Sequence, residues 1–240
     1  MFSKGRYHVR AAVSAQDVSA TQALRALAFG TGTPDHDAHD ARCTHMMVEH
    51  CETGQLVCCF RVLPVTGADA LGNSYAAQFY DLGALAAFGG PMLELGRFCM
   101  HPAHHDPDIL RVAWGALTAQ VDRDGIEMLF GCSSFAGIDP RPYYEALALL
   151  RVRHLAPPRW RPGVLAPEVY RFAARLRRKP DARRAMQVMP PLLRTYLAMG
   201  GWVSDHAVID RGLGTFHVFT GLEIAAIPPA RKRLLRAVAG

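Results

Sequence analysis

The spacing of apolar side chains along this chain changes at positions marked by glycine or proline, and each change marks an expected element. Residues 17–29 carry apolar side chains at the helical period, which predicts a helix that ends at Gly30. Two apolar runs, residues 46–48 and residues 56–63, flank a polar turn at residues 52–55. That arrangement predicts a hairpin of two strands.

A strand, a helix and a second strand are expected in the middle of the chain. Residues 92–100 are strand-like, and Asp106 followed by Pro107 is typical of a helix N-cap with proline in the first turn. After the helix, the mostly apolar residues 126–132 predict a further strand, which we expect to be parallel in a strand–helix–strand unit. The helix positions expected to face the core are Leu110, Ala113, Trp114, Leu117 and Val121.

The last third of the chain begins with a basic segment and ends in strands. Residues 151–184 contain eleven basic residues against two acids, so this segment favours an acidic partner. Residues 202–209 and residues 215–227 are again strand-like. We therefore predict one α/β domain over residues 1–240, with a basic segment at 151–184 and a strand-rich C-terminal part.

Composition indicates where the protein is located, the state of its thiols and the kind of partner it binds. No run of about 18 apolar residues occurs in the 240 residues, and the N-terminal residues lack the apolar stretch of a secretory signal, so we expect a cytoplasmic protein. The six cysteines show no C-x-x-C spacing, which favours reduced thiols. A net charge of +6 indicates an acidic partner: a carrier protein, an anionic membrane or a nucleic acid.

Two stretches of sequence carry a resemblance to a known family. Residues 93–102, LELGRFCMHP, are followed about thirty residues later by FGCSSF at residues 130–135. Together they resemble the bacterial ornithine-lipid N-acyltransferases, which belong with the acyl-homoserine-lactone synthases among GNAT-like folds. The resemblance implies an α/β fold with a mixed, twisted sheet whose central strands splay apart and are flanked by helices. Further matches are Arg25, Phe29, Asp37, Asp40, Arg61 and residues 190–203.

The resemblance also implies an activity. The family transfers a 3-hydroxy fatty acyl group from acyl carrier protein to the α-amine of ornithine, giving the lyso form of a phosphorus-free membrane lipid. Glutamine or another amino acid stays open as the acceptor. No metal or cofactor is expected beyond the acyl-phosphopantetheine arm of the carrier protein. Residues 101–108 contain no glycine, whereas coenzyme A-dependent relatives usually place a glycine-rich loop at a helix N-terminus.

Glu94 and Arg97 are the candidate catalytic pair. Aminolysis of a thioester needs a base for the ammonium proton, and Glu94 is expected to take it directly or through water. Arg97 or Arg61 is expected to hold the carboxylate of the amino acid. On a regular strand Glu94 and Arg97 face opposite sides, so we expect a bulge at Gly96 to turn both toward one cleft. A strand-end ion pair is the structural alternative.

Five further residues are candidates for substrate binding. Arg25 and Phe29, one helical turn apart, are expected to cover the entrance for the acyl-phosphopantetheine arm, although an aromatic residue at this spacing is usually core. Asp37 and Asp40 favour a cationic acceptor such as ornithine, unless they belong to a solvated loop. Ser133 is expected to touch the pantetheine arm.

Other parts of the sequence allow further interpretations. The histidines at positions 36, 39 and 45 lie in no register that fixes a metal site, so none is expected. The basic segment is expected to dock the carrier protein, and basic residues at 231–236 to hold the protein at the anionic inner membrane. An acyl-homoserine-lactone synthase is the nearest enzymatic alternative. The non-enzymatic one is a basic membrane- or nucleic-acid-binding protein, although no nucleic-acid module is recognisable and no nucleic-acid partner is expected.

Overall fold

The computed structural model describes residues 2–239, in which helices are interleaved with mostly antiparallel strands. The strands are β1 (Phe2–Lys4), β2 (Tyr7–Ala11), β3 (Thr44–His50), β4 (Leu56–Val65), β5 (Tyr80–Asp81), β6 (Met92–Met100), β7 (Met128–Ala136), β8 (Gly163–Val164), β9 (Val169–Tyr170), β10 (Trp202–Asp210) and β11 (Thr215–Glu223). The helices are α1 (Ala15–Phe29), α2 (Ala68–Leu71), α3 (Pro107–Arg123), α4 (Tyr144–Arg153), α5 (Phe172–Arg175), α6 (Ala182–Val188), α7 (Pro191–Ala198) and α8 (Pro229–Ala239). The predicted α/β class is confirmed.

The chain divides into two compact units, each made of separate stretches of sequence. The first unit comprises the chain up to Pro64, residues Leu93–Ile126 and the chain from Pro228. The second comprises Val65–Met92 and Glu127–Ile227. The division into compact units does not test whether residues 1–240 form one domain, so that expectation stays a prediction.

The first unit is a sheet with helices on both faces. Its strands lie in the order β1-β2-β3-β4-β6. Arg10 of β2 binds Asp17 of α1 at 2.8 Å, whereas Tyr7, three residues earlier on the same strand, donates to Asp106 at the start of α3 at 2.9 Å. Because side chains alternate along a strand, α1 and α3 cover opposite faces. Helix α8 packs against α3.

The second unit is built on antiparallel strands in the order β7-β11-β10-β9, with β5 and β8 paired separately. Strand β10 is irregular between Val203 and Ala207, where its register on β11 shifts. Helices α4, α6 and α7 contribute buried side chains to the core of this unit. The buried side chains of this core include Phe135, Leu147, Phe172, Leu193 and Phe216.

Most predicted elements are confirmed, and the errors fall at their ends. The hairpin is present as β3 and β4, and α3 begins after the Asp106 cap with Pro107 in its first turn. The strand expected over residues 215–227 ends at Glu223, where a 3₁₀ turn begins, so its last residues were assigned wrongly. Strand β7 pairs antiparallel with β11. Its parallel pairing in a strand–helix–strand unit and the splay of the central strands stay predictions.

Within the part of the chain that the structure describes, no helix has both the length and the apolar character that crossing a bilayer requires.

Candidate active site

The loop that follows α1 folds back onto the helix. The helix ends at Gly30, whose φ of 70° lies in the left-handed region that glycine adopts without steric cost. The backbone N–H of Asp35 then donates to the carbonyl of Gln22 at 3.3 Å. A 3₁₀ turn at Asp40–Arg42 leads into β3. This return brings three loop aspartates next to the arginine side chains of α1, β4 and β6.

Six side chains of the first unit form a closed ring of alternating charge, which we call the charge ring. Each arginine donates to two aspartates and each aspartate accepts from two arginines, at distances between 2.5 and 3.2 Å. Three positive charges therefore balance three negative ones. In order around the ring, the members are Arg25, Asp35, Arg97, Asp37, Arg61 and Asp40.

The charge ring is buried, and ion pairing within it shifts the pKa values of three of its members. The side chains of Arg25 and Arg61 are 1% and 3% exposed, while that of Asp37 is 22% exposed. Burial alone raises the pKa of Asp40, but hydrogen bonds from Arg25 and Arg61 outweigh it and hold that pKa well below its usual value. Burial also raises the pKa of Asp37, but the hydrogen bond and the charge of Arg61 outweigh it and lower that pKa. Burial lowers the pKa of Arg61, but the two carboxylates reverse this and raise it.

Strand β6 departs from regular geometry at Arg97. Arg97 has a φ of 50°, and among the described residues it is the only non-glycine residue with positive φ. A Cβ added to Gly96 would lie 3.6 Å from Nε of Arg61, so Gly96 faces the charge ring as Arg97 does. Two consecutive residues therefore face one side, which breaks the strand's alternation. Glu94, two residues before Gly96, is thereby placed on the same side as Arg97. The positive φ belongs to Arg97, and the bulge expected at Gly96 stays a prediction.

Glu94 is buried beside the charge ring. The residue is only 5% exposed. The pKa of Cys43 shows that this carboxylate is close by. Burial raises the pKa of Cys43 to about 11, and the charge of Glu94 adds to that rise, whereas the charge of Arg61 opposes it. A carboxylate, a guanidinium and a thiol thus lie within electrostatic reach of one another, in a site with little solvent to screen their charges.

Phe29 packs against a small apolar cluster. Leu24, Cys59 and Cys99 are its buried members, and Phe29 is half-buried against them. The Sγ atoms of Cys59 and Cys99 lie 3.5 Å apart. The hydrogen bond between the two thiols, together with burial, raises the pKa of Cys59, so its thiolate is disfavoured. The charge of Arg25 opposes that rise, so the cluster lies within electrostatic reach of the charge ring.

One of the candidate residues belongs to the second unit. Ser133 lies in β7 of the second unit, where its buried Oγ accepts from Oγ1 of Thr220 at 2.8 Å. Its predicted contact with pantetheine stays a prediction. Across residues 2–239, no group of three or more histidine, cysteine, aspartate or glutamate side chains is arranged to hold a metal ion.

Sequence reasoning missed two residues of this site. Asp35 binds Arg25 and Arg97 but was passed over in favour of the two later aspartates. The Asp-x-Asp-x-x-Asp spacing of residues 35–40 is the signal that could have included it. His45 is buried, and its Nε2 lies 3.1 Å from the backbone carbonyl of Asp40, so it supports the loop.

Comparisons with known proteins agree with this fold. An acetyltransferase (GNAT) domain matches residues 21–115, a range that contains the whole charge ring and Glu94. The solved structure of FeeM, an N-acyl amino acid synthase from uncultured soil microbes, covers 92% of this chain and 94% of its own with a TM-score of 0.54 and 11% identity. The likeness to FeeM shows the fold of this chain. The chain is an acyltransferase of the GNAT class.

Two relatives define the family more narrowly. An L-ornithine N(alpha)-acyltransferase of Rhodobacter capsulatus is 33% identical over 238 residues, covering 92% of this chain and 91% of the relative. The protein of the same name from Rhizobium meliloti is 30% identical over 240 residues, covering 91% of this chain and 80% of the relative. This chain therefore belongs to the L-ornithine N(alpha)-acyltransferase family, as its resemblance implied.

Proposed function

We propose that this protein transfers a 3-hydroxy fatty acyl group from acyl carrier protein to the α-amine of ornithine, giving lyso-ornithine lipid. The names of its relatives support ornithine as the acceptor. The observation that carries the proposal is the buried, charge-balanced ring beside Glu94. A ring of guanidinium and carboxylate groups suits an acceptor that carries a carboxylate and a second ammonium group.

The reaction needs proton removal and no covalent enzyme intermediate. Glu94 takes the proton of the α-ammonium, directly or through water, so that the neutral amine can attack the thioester carbonyl. The C–N bond then forms, the C–S bond breaks, and the phosphopantetheine thiol leaves with a proton. A backbone N–H near the irregular backbone of Arg97 is a suitable donor for the carbonyl oxygen as it becomes an oxyanion.

Acceptor binding proceeds by exchange of ion pairs. Asp37 is the most exposed acid of the charge ring, and it accepts from Arg61 at 2.6 Å and from Arg97 at 3.1 Å. The carboxylate of ornithine takes its place on one of these arginines. Asp37 is then released to pair with the side-chain ammonium of ornithine, which is charged near neutral pH. Glutamine offers no such partner, so Asp37 keeps only the second of its two arginines as a counter-ion.

The basic surfaces suit the donor and the destination of the product. Arg178, Arg183 and Arg184 are exposed in the second unit, where they provide a docking surface for an acidic carrier protein. In the first unit, α8 exposes Arg231 and Arg233 beside Leu234, which is 60% exposed. A basic helix with an exposed leucine suits peripheral binding to an anionic membrane from the cytoplasmic side.

The test is a direct assay of acyl transfer. Purified protein is incubated with 3-hydroxyhexadecanoyl carrier protein and ornithine, glutamine, lysine or S-adenosylmethionine, with thioester loss and product mass followed together. We expect acylated ornithine, a kcat about 100-fold lower for Glu94→Gln, and an ornithine preference over glutamine about tenfold lower for Asp37→Asn. Lactone formation from S-adenosylmethionine would reassign the protein to homoserine-lactone synthesis. Transfer to no amine would overturn the proposal.

A further inference from the structure

A single oxygen of Asp35 joins two arginines that come from different elements. Its Oδ2 accepts from Nε of Arg25 in α1 at 2.8 Å and from Nε of Arg97 in β6 at 2.9 Å. The side chain of Asp35 is 8% exposed, and its backbone N–H is bonded to the carbonyl of Gln22. The carboxylate is therefore held by its own backbone as well as by its partners.

Binding at Nε fixes the orientation of each guanidinium group. The guanidinium is planar, so an acceptor on Nε restricts rotation of the plane about the side-chain axis. The terminal nitrogens are then directed to the other acids: those of Arg25 reach Asp40 at 2.7 and 3.2 Å, and Nη2 of Arg97 reaches Asp37 at 3.1 Å. Asp35 thus sets the direction in which the terminal nitrogens of both guanidinium groups point.

The backbone of Arg97 needs this support. Its φ of 50° lies in the left-handed region, which is disfavoured for a residue with a Cβ and persists where surrounding contacts determine it. Asp35 and Asp37 bind different nitrogens of the Arg97 side chain, and both approach from the loop after α1. With the charge of Asp35 removed, Arg97 keeps one of these two charged contacts.

We infer that Asp35 is a positioning residue for acyl transfer: it holds the guanidinium of Arg97 in the orientation that receives the carboxylate of the amino-acid acceptor. The inference rests on the proposed function of Arg97 in acceptor binding. Asp35 itself does not touch the reacting atoms. Its effect reaches the acceptor through Arg97 and is independent of the acceptor's side chain.

Steady-state kinetics of Asp35→Asn test the inference, because asparagine keeps the size and loses the charge. We expect the KM for ornithine and the KM for glutamine to rise alike, by about tenfold, with the KM for the acyl carrier protein changed less than about twofold. The matched control is Asp139→Asn, which removes a charge from an exposed aspartate that also accepts from an arginine Nε, on Arg141. Its constants should stay within about twofold of the wild type.

A double-mutant cycle separates positioning from general support of the fold. Arg97→Lys keeps the positive charge but lacks the Nε donor, so Asp35→Asn added to it should change the KM by less than about twofold. Additive effects would overturn the inference. So would an effect on ornithine alone, since Asp35 would then act on the side-chain ammonium.

A measurement without substrate keeps the inference testable if the proposed reaction fails. Hydrogen exchange of arginine Nε–H groups is followed by NMR in the wild type and in Asp35→Asn. Exchange should become about tenfold faster at Arg25 and Arg97 and stay unchanged at Arg141. Absence of acyl transfer by the wild type would overturn only the proposed function. Unchanged exchange at Arg97 would overturn the role of Asp35.

Discussion

The arginines of the charge ring and those of the basic segment differ in the number of acids that each binds and in how much solvent each meets. The three ring side chains are 1%, 3% and 10% exposed, and each binds two aspartates. In the basic segment, the side chains of Arg159, Arg178 and Arg184 are 66%, 50% and 76% exposed, and each has a single acid in an ion pair among the described residues. One set fixes geometry, and the other provides a positive field at the surface.

The largest expected difference between the two sets is in stability. Arg25→Ala leaves Asp35 and Asp40 with one fewer cation each in a buried site, and should lower the free energy of unfolding by about 3–5 kcal/mol. Arg159→Ala breaks one exposed pair with Glu223 and should cost less than about 1 kcal/mol. Urea unfolding of both variants measures the difference. Equal losses of unfolding free energy in the two variants would show that the buried and exposed arginines contribute equally to stability.

Acid should affect the charge ring in a defined range of pH. The pKa values of Asp37 and Asp40 are lower in the folded protein than their unfolded value of about 3.9. Their contribution to stability is therefore fully present above about pH 4 and is lost as the pH falls through the folded pKa values. As the pH falls below about 4, urea midpoints should fall more steeply for the wild type than for Asp37→Asn. About 1 M salt screens the surface pairs and should leave this difference in place.

The smallest expected effect concerns docking by the basic segment. Charge reversal of the exposed Arg183 and Arg184 to glutamate should raise the KM for acyl carrier protein about fivefold at low salt, and leave the KM for ornithine unchanged. Arg111→Glu, at an exposed position of the first unit, is the control. The effect should vanish at high salt and with an acyl-pantetheine donor that lacks the protein. An effect that persists with acyl-pantetheine would assign these arginines another role.

Local sequence signals predict the helices and strands, whereas the charge ring forms through contacts between residues that are far apart in the sequence. Asp106 and Pro107 specify the start of α3 because capping and the fixed φ of proline act within one turn. Arg25, Arg61 and Arg97 were recognised through a resemblance, but no spacing indicates that three loop aspartates bridge them in order. Asp35 lies in an irregular loop whose path is set by its partners, and so its role was missed.

The positive φ in β6 falls on a residue that has a Cβ. Glycine is the residue that adopts unusual backbone angles most readily, and the bulge expected at Gly96 stays a prediction. The positive φ belongs to the next residue, Arg97, whose side chain is paired with Asp35 and Asp37. The expectation that Glu94 and Arg97 share one side followed from the chemistry required of the pair, and it agrees with the orientation of Gly96 toward Arg61.

The first unit is drawn from three separate stretches of chain, and this has a consequence for synthesis on the ribosome. All members of the charge ring have been translated by Arg97, before α3. Helix α8, which packs on α3 and binds Asp122 through Arg236 at 2.9 Å, follows only after Glu127–Ile227 has emerged. The side of α3 that α8 covers is thus uncovered while Glu127–Ile227 is translated, so the first unit can be completed only after most of the second unit has been made.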